Sequence, residues 1–340
     1  MFKQLLSKGI EGATYTESEA TALMDDIMTG AATESQIASL LTLLRVRGET
    51  IDELTGFVRS MRLHATSFST PFEDVIDTCG TGGDGAGTFN ISTAAAIVMA
   101  SLNVKVAKHG NRAFSSKSGS ADVLEYLNIP IQLGQEEALK ALNEVSMCFL
   151  YAPQYHKAMK YAVAPRKEIG FRTVFNILGP LCNPAACQRQ MLGVADPVLA
   201  EKMAVVAQRI GMEKVMIVTG NDGLDECSIT TSSTILEVTP DAIRKIIIDP
   251  TEVDLEKGNL KDLAISTPSE SADLIKNIFA GKANRSASEI VILNAAVGLV
   301  AAGKVTSIKS GVKLAKNAIK SGKVMNHYLQ MARGAQRVYA

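Results

Sequence analysis

Val75-Ile76-Asp77-Thr78-Cys79-Gly80-Thr81-Gly82-Gly83-Asp84-Gly85 runs from a short apolar strand over 75–77 into a loop of glycines, and a helix follows over about 92–101. Strand, glycine loop and helix in that order mark the ligand edge of a parallel sheet. Formally the loop matches G-x-G-x-x-G, the dinucleotide fingerprint. That site also needs an acidic residue near the end of the next strand, to hold a ribose diol. Here the next strand, over 104–107, leads into Lys108-His109, and no Asp or Glu lies between Asp84 and Asp122. The same span carries Lys105, Lys108, His109, Arg112 and Lys117, a pattern for phosphate and not for NAD. No Gly-Lys-Ser/Thr closes the loop, so it is not a Walker A loop either.

Glycines let the backbone approach an anion and turn several N–H groups toward it. Asn90-Ile91-Ser92-Thr93 stands at the next helix start, where free amides and hydroxyls suit a second phosphate. The bland alternative is a tight turn with Asn90 or Ser92 as a helix cap. A second polar cluster weighs against it. Lys108-His109-Gly110-Asn111-Arg112-Ala113 follows the second strand, and Ser115-Ser116-Lys117-Ser118-Gly119-Ser120 comes soon after. Two such loops at successive strand ends meet at one sheet edge, and convergent polar groups there mark a pocket.

Upstream, three capping boxes punctuate an all-helical segment: Thr16 with Glu19, Thr33 with Gln36, and Thr50 with Glu53. Gly30 and Gly48 supply stop signals, and 66–72 reads as a linker. Downstream, a helix is expected over 121–127 and strands over 148–151, 190–194, 215–218 and 234–238. Another helix is expected over 197–210, with helices again from residue 288. This alternation predicts an α/β chain: a small helical domain over 1–70, then an α/β domain over 71–340 with a central, mostly parallel sheet.

A chain of 340 residues fits about two domains. Lys+Arg and Asp+Glu are both 35, which gives no general attraction to nucleic acid or an anionic membrane. Any anion site is therefore local. Tryptophan is absent and aromatics make up 5%, a poor base-stacking platform. The N-terminus does not read as a signal peptide, and the apolar run 290–302 is too short to span a bilayer. Five cysteines without CxxC spacing read as reduced thiols of a cytoplasmic protein, not as zinc ligands.

The glycine-loop motif, Lys108 to Arg112 and Ser115 to Asp122 closely resemble the anthranilate phosphoribosyltransferase family. So do Arg166-Lys167-Glu168-Ile169-Gly170-Phe171-Arg172-Thr173, Asn176-Ile177-Leu178-Gly179-Pro180-Leu181, Asn183-Pro184-Ala185 and Asp222-Gly223-Leu224-Asp225-Glu226. The likeness runs in order along nearly the whole chain. It implies transfer of a phosphoribosyl group from 5-phosphoribosyl 1-pyrophosphate to anthranilate in tryptophan biosynthesis. It also implies a nucleoside phosphorylase/phosphoribosyltransferase-like fold, with 166–186 packing on the helical domain and the substrates in the cleft between. A homodimer paired through that helical domain is implied too. Tyr155-His156-Lys157-Ala158-Met159 and Ala164-Pro165-Arg166 depart from the usual His-Pro-Ala-Met and Pro-Val-Arg of the family.

By the matching motifs, donor contacts are Gly80, Gly83, Asp84, Thr88, Asn90, Ile91, Ser92, Thr93, Lys108, Ser116 and Ser120. Anthranilate contacts are Gly80, His109, Asn111 and Arg166. Magnesium (Mg2+) ligands are Ser92, Asp225 and Glu226. Read without the resemblance, Asp225-Glu226 is better taken as a solvated acidic turn than as a ligand pair. Arg166 can grip a carboxylate with two charge-assisted hydrogen bonds, whereas Arg172 and Arg189 read as surface or helix-end arginines. His109 is the candidate for accepting a proton; His64 and His156 read as structural, and His327 carries no signal. The alternatives to this reading are a pyrimidine nucleoside phosphorylase-like transferase, a non-enzymatic nucleic-acid-binding relative and an NAD enzyme.

Overall fold

The computed structural model describes residues 1–113 and 117–338. It opens with α1 (Phe2–Ile10), α2 (Glu17–Met28), α3 (Glu34–Arg47) and α4 (Ile51–His64). All three expected capping boxes form: each threonine hydroxyl accepts the backbone N–H three residues on, and that residue's side chain accepts the threonine N–H. Two otherwise orphaned donors are thereby satisfied at each helix start. Glu53 does more than close its box. Fully buried, it also accepts from Tyr15 N at 2.8 Å and from the Arg47 guanidinium, so it ties α3, α4 and the α1–α2 connection together.

The chain then alternates: β1 (Ile76–Gly80), α5 (Ile91–Ser101), β2 (Val106–Gly110), α6 (Ser120–Tyr126), α7 (Gln135–Val145) and β3 (Met147–Tyr151). Three helices follow, α8 (Ala152–Tyr155), α9 (Lys160–Ile169) and α10 (Phe175–Leu178). Next come β4 (Arg189–Gly193), α11 (Pro197–Arg209), β5 (Lys214–Gly220), β6 (Ser233–Val238) and β7 (Ile243–Ile248). The chain closes with α12 (Pro268–Phe279), α13 (Arg285–Ala301), α14 (Ile308–Lys320) and α15 (Lys323–Val338).

The described strands form one seven-stranded sheet in the order β3-β2-β1-β4-β5-β6-β7. The pairs from β3 to β5 are parallel, while β5–β6 and β6–β7 are antiparallel. From β1 the chain first proceeds to one side, to β2 and β3, and later to the other side, to β4. The crevice beyond β1 and β4 is thus a topological switch point. One core cluster joins α5 and α13–α15 to one side of the sheet; the apolar run 290–302 lies in α13 and is core. A second cluster joins Leu23, Ile27, Leu40 and Phe57 of the helical segment to Val174, Phe175, Leu178 and Leu181, and onward to Ile217 on β5. No helix among the described residues is long and apolar enough to cross a membrane.

Several elements differ from expectation. β2 spans Val106–Gly110, so Lys108 and His109 lie inside the strand and not in the loop after it. Asn103 takes a positive φ of 62°, which delays the strand. β7, α7, α9 and α12 were not expected. α9 carries Pro165 in its interior, normally a helix breaker.

Replacing Glu53 by Ala should lower unfolding stability by about 3 kcal/mol, because it strips a buried carboxylate from a guanidinium and two amides. A urea melt with an unchanged midpoint would contradict this account of the bundle.

Candidate active site

At the ends of β1 and β4, Gly80 pairs in register with Gly193, and the β5–β6 turn folds onto both. A Cβ on Gly80 would lie 2.4 Å from Asp225 Oδ2, and one on Gly193 would lie 1.7 Å from the Asp225 carbonyl oxygen. Only glycine leaves room for the turn. The Asp222 carboxylate braces that turn, accepting from Ser228 Oγ at 2.6 Å and from the Thr230 hydroxyl. Two donors then meet two acids: Gly82 N–H donates to Asp225 Oδ2 at 2.8 Å, and Ser92 N–H to Glu226 Oε1 at 3.1 Å. Glycine-loop and helix-start amides are anion donors by nature.

The acids crowd one another. Burial, then the charge of Asp84, pushes Asp225 up to about 6. Burial, then Asp225, pushes Glu226 well above the usual carboxylate range. A cation among these hard oxygens would relieve both effects. Among the described residues no three His, Cys, Asp or Glu side chains are set as a ready cage. Two carboxylates beside a serine hydroxyl are hard oxygen donors, the kind Mg2+ takes together with waters and substrate phosphates.

Lys108 is 1% exposed and donates to the Thr78 carbonyl and, at 3.3 Å, to Ser92 Oγ. Beside it Asp77, also buried, accepts the His109 N–H at 3.1 Å. Asn90 is no side-chain cap. Instead its Oδ1 accepts from Ser118 Oγ at 2.7 Å and Ser271 Oγ at 2.8 Å, and its Nδ2 donates to Ser118 O at 3.1 Å. It thereby stitches the second polar loop and α12 to the start of α5.

The two acids, the glycine loop, Asn90 and Lys108 line a cavity of about 990 Å³. α9 and α10, with the turn before them, add Met159, Val163, Arg166 and Phe175 to the lining, with the Arg166 guanidinium 5.4 Å from the centre of the Phe175 ring. His109 also lines the cavity. Its Nε2 is buried with no hydrogen-bond partner among the described residues, and its ring is 5.1 Å from that of His156. Burial first, then the neighbouring His156, pushes His109 down to about 3, so the imidazole is neutral at pH 7. His156 Nε2 is bonded to Cys182 O at 2.9 Å and His64 Nε2 to Asp25 Oδ1 at 3.0 Å.

Of the candidate positions, Gly80, Gly83, Asp84, Thr88, Asn90, Ile91, Ser92, Lys108, His109, Asn111, Ser120, Arg166, Asp225 and Glu226 all line this cavity. Thr93 does not; its side chain is turned into the core, fully buried. Ser116 lies outside the described residues. Asp225 and Glu226 are half-buried rather than a solvated turn. Arg172 needs correcting: it lines the cavity and donates from Nη2 to Thr81 O at 2.7 Å and Gly82 O at 2.9 Å. Its sequence signal was its place just after the Gly170 helix stop, within reach of a cleft but 90 residues from the loop it touches. Arg189 instead pairs with Glu213 at 2.6 Å.

Two family models match the chain: "Glycosyl transferase family, helical bundle domain" over 3–65, and "Glycosyl transferase family, a/b domain" over 72–325. The anthranilate phosphoribosyltransferase of Halalkalibacterium halodurans is 57% identical over 327 residues, 96% of each chain. The chain belongs to the anthranilate phosphoribosyltransferase family. The solved anthranilate phosphoribosyltransferase of Thermus thermophilus superposes with a TM-score of 0.89 at 37% identity, covering 97% of this chain and 99% of that one. The Saccharomyces cerevisiae anthranilate phosphoribosyltransferase, solved in complex with PRPP and Mg, also gives 0.89, at 26% identity over 99% of this chain and 98% of its own. Like the rest of the anthranilate phosphoribosyltransferases, the chain is a transferase with a helical segment ahead of a mostly parallel sheet.

The depressed His109 pKa gives a sign to test. Between about pH 3 and the ordinary imidazole value near 6.5, the unfolded chain binds a proton that the folded one refuses. The stability this group contributes is therefore full above that window and is lost as the pH is lowered through it. In a nitrogen-detected NMR titration the His109 ring should stay neutral at about pH 5. Protonation near the ordinary value would refute the buried, neutral assignment.

Proposed function

We propose that this chain joins the amine of anthranilate to the ribose of 5-phosphoribosyl 1-pyrophosphate, releasing pyrophosphate and giving N-(5-phosphoribosyl)anthranilate for L-tryptophan synthesis. The observation that carries the reading is one cavity lined by two unlike sets of groups. The first set is glycine-loop and helix-start amides, hydroxyls and Lys108. The second is Arg166 among apolar groups, matched to a flat ring bearing a carboxylate.

The amine lone pair attacks the anomeric carbon, the bond to the pyrophosphate oxygen breaks with its electron pair, and the amine nitrogen loses a proton. The donor lies on Gly80, Gly83, Asp84, Thr88, Asn90 to Ser92, the Thr93 backbone, Lys108, Ser116 and Ser120. Arg166 holds the acceptor carboxylate by two charge-assisted bonds, with Asn111 and the Gly80 backbone alongside. Fixing both partners removes much of the orientational cost of the encounter. His109 Nε2, neutral and unpartnered among the described residues, accepts an N–H of the amine and so aims its lone pair. The arylammonium formed on attack is acidic enough that even this weakly basic nitrogen can take its proton. Bound magnesium, held through Asp225, Glu226 and Ser92, would neutralise charge on the leaving pyrophosphate.

Residues 1–70 with 166–186 act as one unit and the rest of 71–340 as the other; Val174, Phe175, Leu178 and Leu181 share an apolar cluster with the helical segment, and that cluster runs on into the sheet at Ile217. Two copies pair through the helical unit in the cytoplasm. Ile10 and Val46, 70% and 82% exposed on α1 and α3, support that face.

The test is to mix chain, anthranilate, donor and magnesium and follow the loss of anthranilate fluorescence; no loss overturns the reading. Arg166→Ala should raise the anthranilate KM about 30- to 100-fold and leave the donor KM nearly unchanged. Equal changes in both would remove Arg166 from its assigned role.

A further inference from the structure

The glycine loop raises a question of orientation. Gly82, Gly83, Gly85 and Gly87 all take positive φ. Peptide units between such residues can turn over easily, because no Cβ resists either orientation. In a trans peptide the C=O and the N–H point opposite ways, so a turned-over unit would present a carbonyl to a phosphate instead of a donor. Something must hold these units one way round.

Arg172 sits where that constraint is needed. The Thr81 carbonyl and the Gly82 N–H belong to one peptide unit. Arg172 Nη2 donates to the carbonyl at 2.7 Å, while the N–H donates to Asp225 at 2.8 Å on the other side. The same Nη2 also donates to the Gly82 carbonyl at 2.9 Å, which turns the Gly83 N–H away from the guanidinium. Among the described residues both hydrogen bonds of Arg172 go to these carbonyls. Gly83 is shaped around it, since a Cβ there would lie 1.9 Å from Arg172 Nη1. The downstream end of the loop is pinned separately, by Ile265 N to Gly87 O at 3.0 Å and the Thr88–Ala264 bridge.

We propose that Arg172 is a positioning residue for the donor's pyrophosphate: held on the Thr81 and Gly82 carbonyls, it keeps the Gly82 and Gly83 N–H groups turned toward the cavity. It touches no reacting atom and acts through the loop. A cationic donor also polarises the peptide, making the N–H on its far side a stronger donor. The inference rests on the donor-site reading above.

The experiment measures pyrophosphate and phosphoribosyl pyrophosphate binding by calorimetry with magnesium present, for the unaltered chain, Arg172→Ala and Arg172→Lys, with thermal midpoints as a folding control. Arg172→Ala should raise the donor Kd and the donor KM about tenfold or more while the anthranilate KM moves less than about twofold. Arg172→Lys, which keeps a cationic donor, should recover most of the loss, as should added guanidinium ion with Arg172→Ala. An unaltered chain that binds no donor would overturn the donor-site reading itself. Donor binding that is normal in both variants would overturn the role of Arg172 alone. So would equal rises in both KM values, or Arg172→Lys behaving like Arg172→Ala.

Discussion

The close approach of the Asp225 turn to the ends of β1 and β4 is the constraint from which the site is built. Gly80 and Gly193 stand in register at the switch point, and each lacks the one atom that would collide with Asp225. Because that gap exists, a loop leaving β5 reaches back over two strands and lays two carboxylates beside the glycine loop and the start of α5. A methyl group at either glycine would push the acids away from the amides and open the cavity wall. The sheet order, with β1 between β2 and β4, is what brings these pieces from residues 80, 92, 108 and 225 into one place.

Charge in the cavity is arranged by layer. Lys108 lines the cavity, and buried Asp77 lies behind it; the Lys108 charge offsets part of what burial does to Asp77. Asp84 lies close enough to Asp225 to raise it, both raise Glu226, and Arg166 lines the same cavity. A chain with no net charge can therefore still gather acids and bases unevenly in one cavity, which is how a local site escapes the balance of the whole.

What the sequence made legible is what is encoded over short spans. Each capping box sets its partners three residues apart, and all three form. The contrast between a dinucleotide loop and a phosphate loop also turned on a nearby absence, the missing acid before Asp122. Interactions spanning the chain were not legible from local pattern. Lys108 and His109 looked too polar for a strand, because their partners Thr78 and Asp77 lie some 30 residues upstream. Arg172 looked like a surface residue because its acceptors are backbone carbonyls, which carry no sequence signature. α9 hid behind Pro165, and β7 behind Arg244-Lys245 in an otherwise apolar run that lies at the sheet edge.

The carboxylates on the amides give the pocket the character of a balance more than of a vessel. A phosphate oxygen that reaches the Gly82 N–H must displace Asp225, and one that reaches the Ser92 N–H must displace Glu226. What such a ligand gains is the difference between two bonds, not the whole of one. Its affinity then depends on what the released acids find in exchange. An anion that brings its own divalent cation supplies that exchange, whereas a bare anion of the same shape leaves two crowded acids without a counter-charge. On this geometry a metal-bearing phosphate would be favoured over a naked one by the backbone of two glycines, before any side chain has read the ribose.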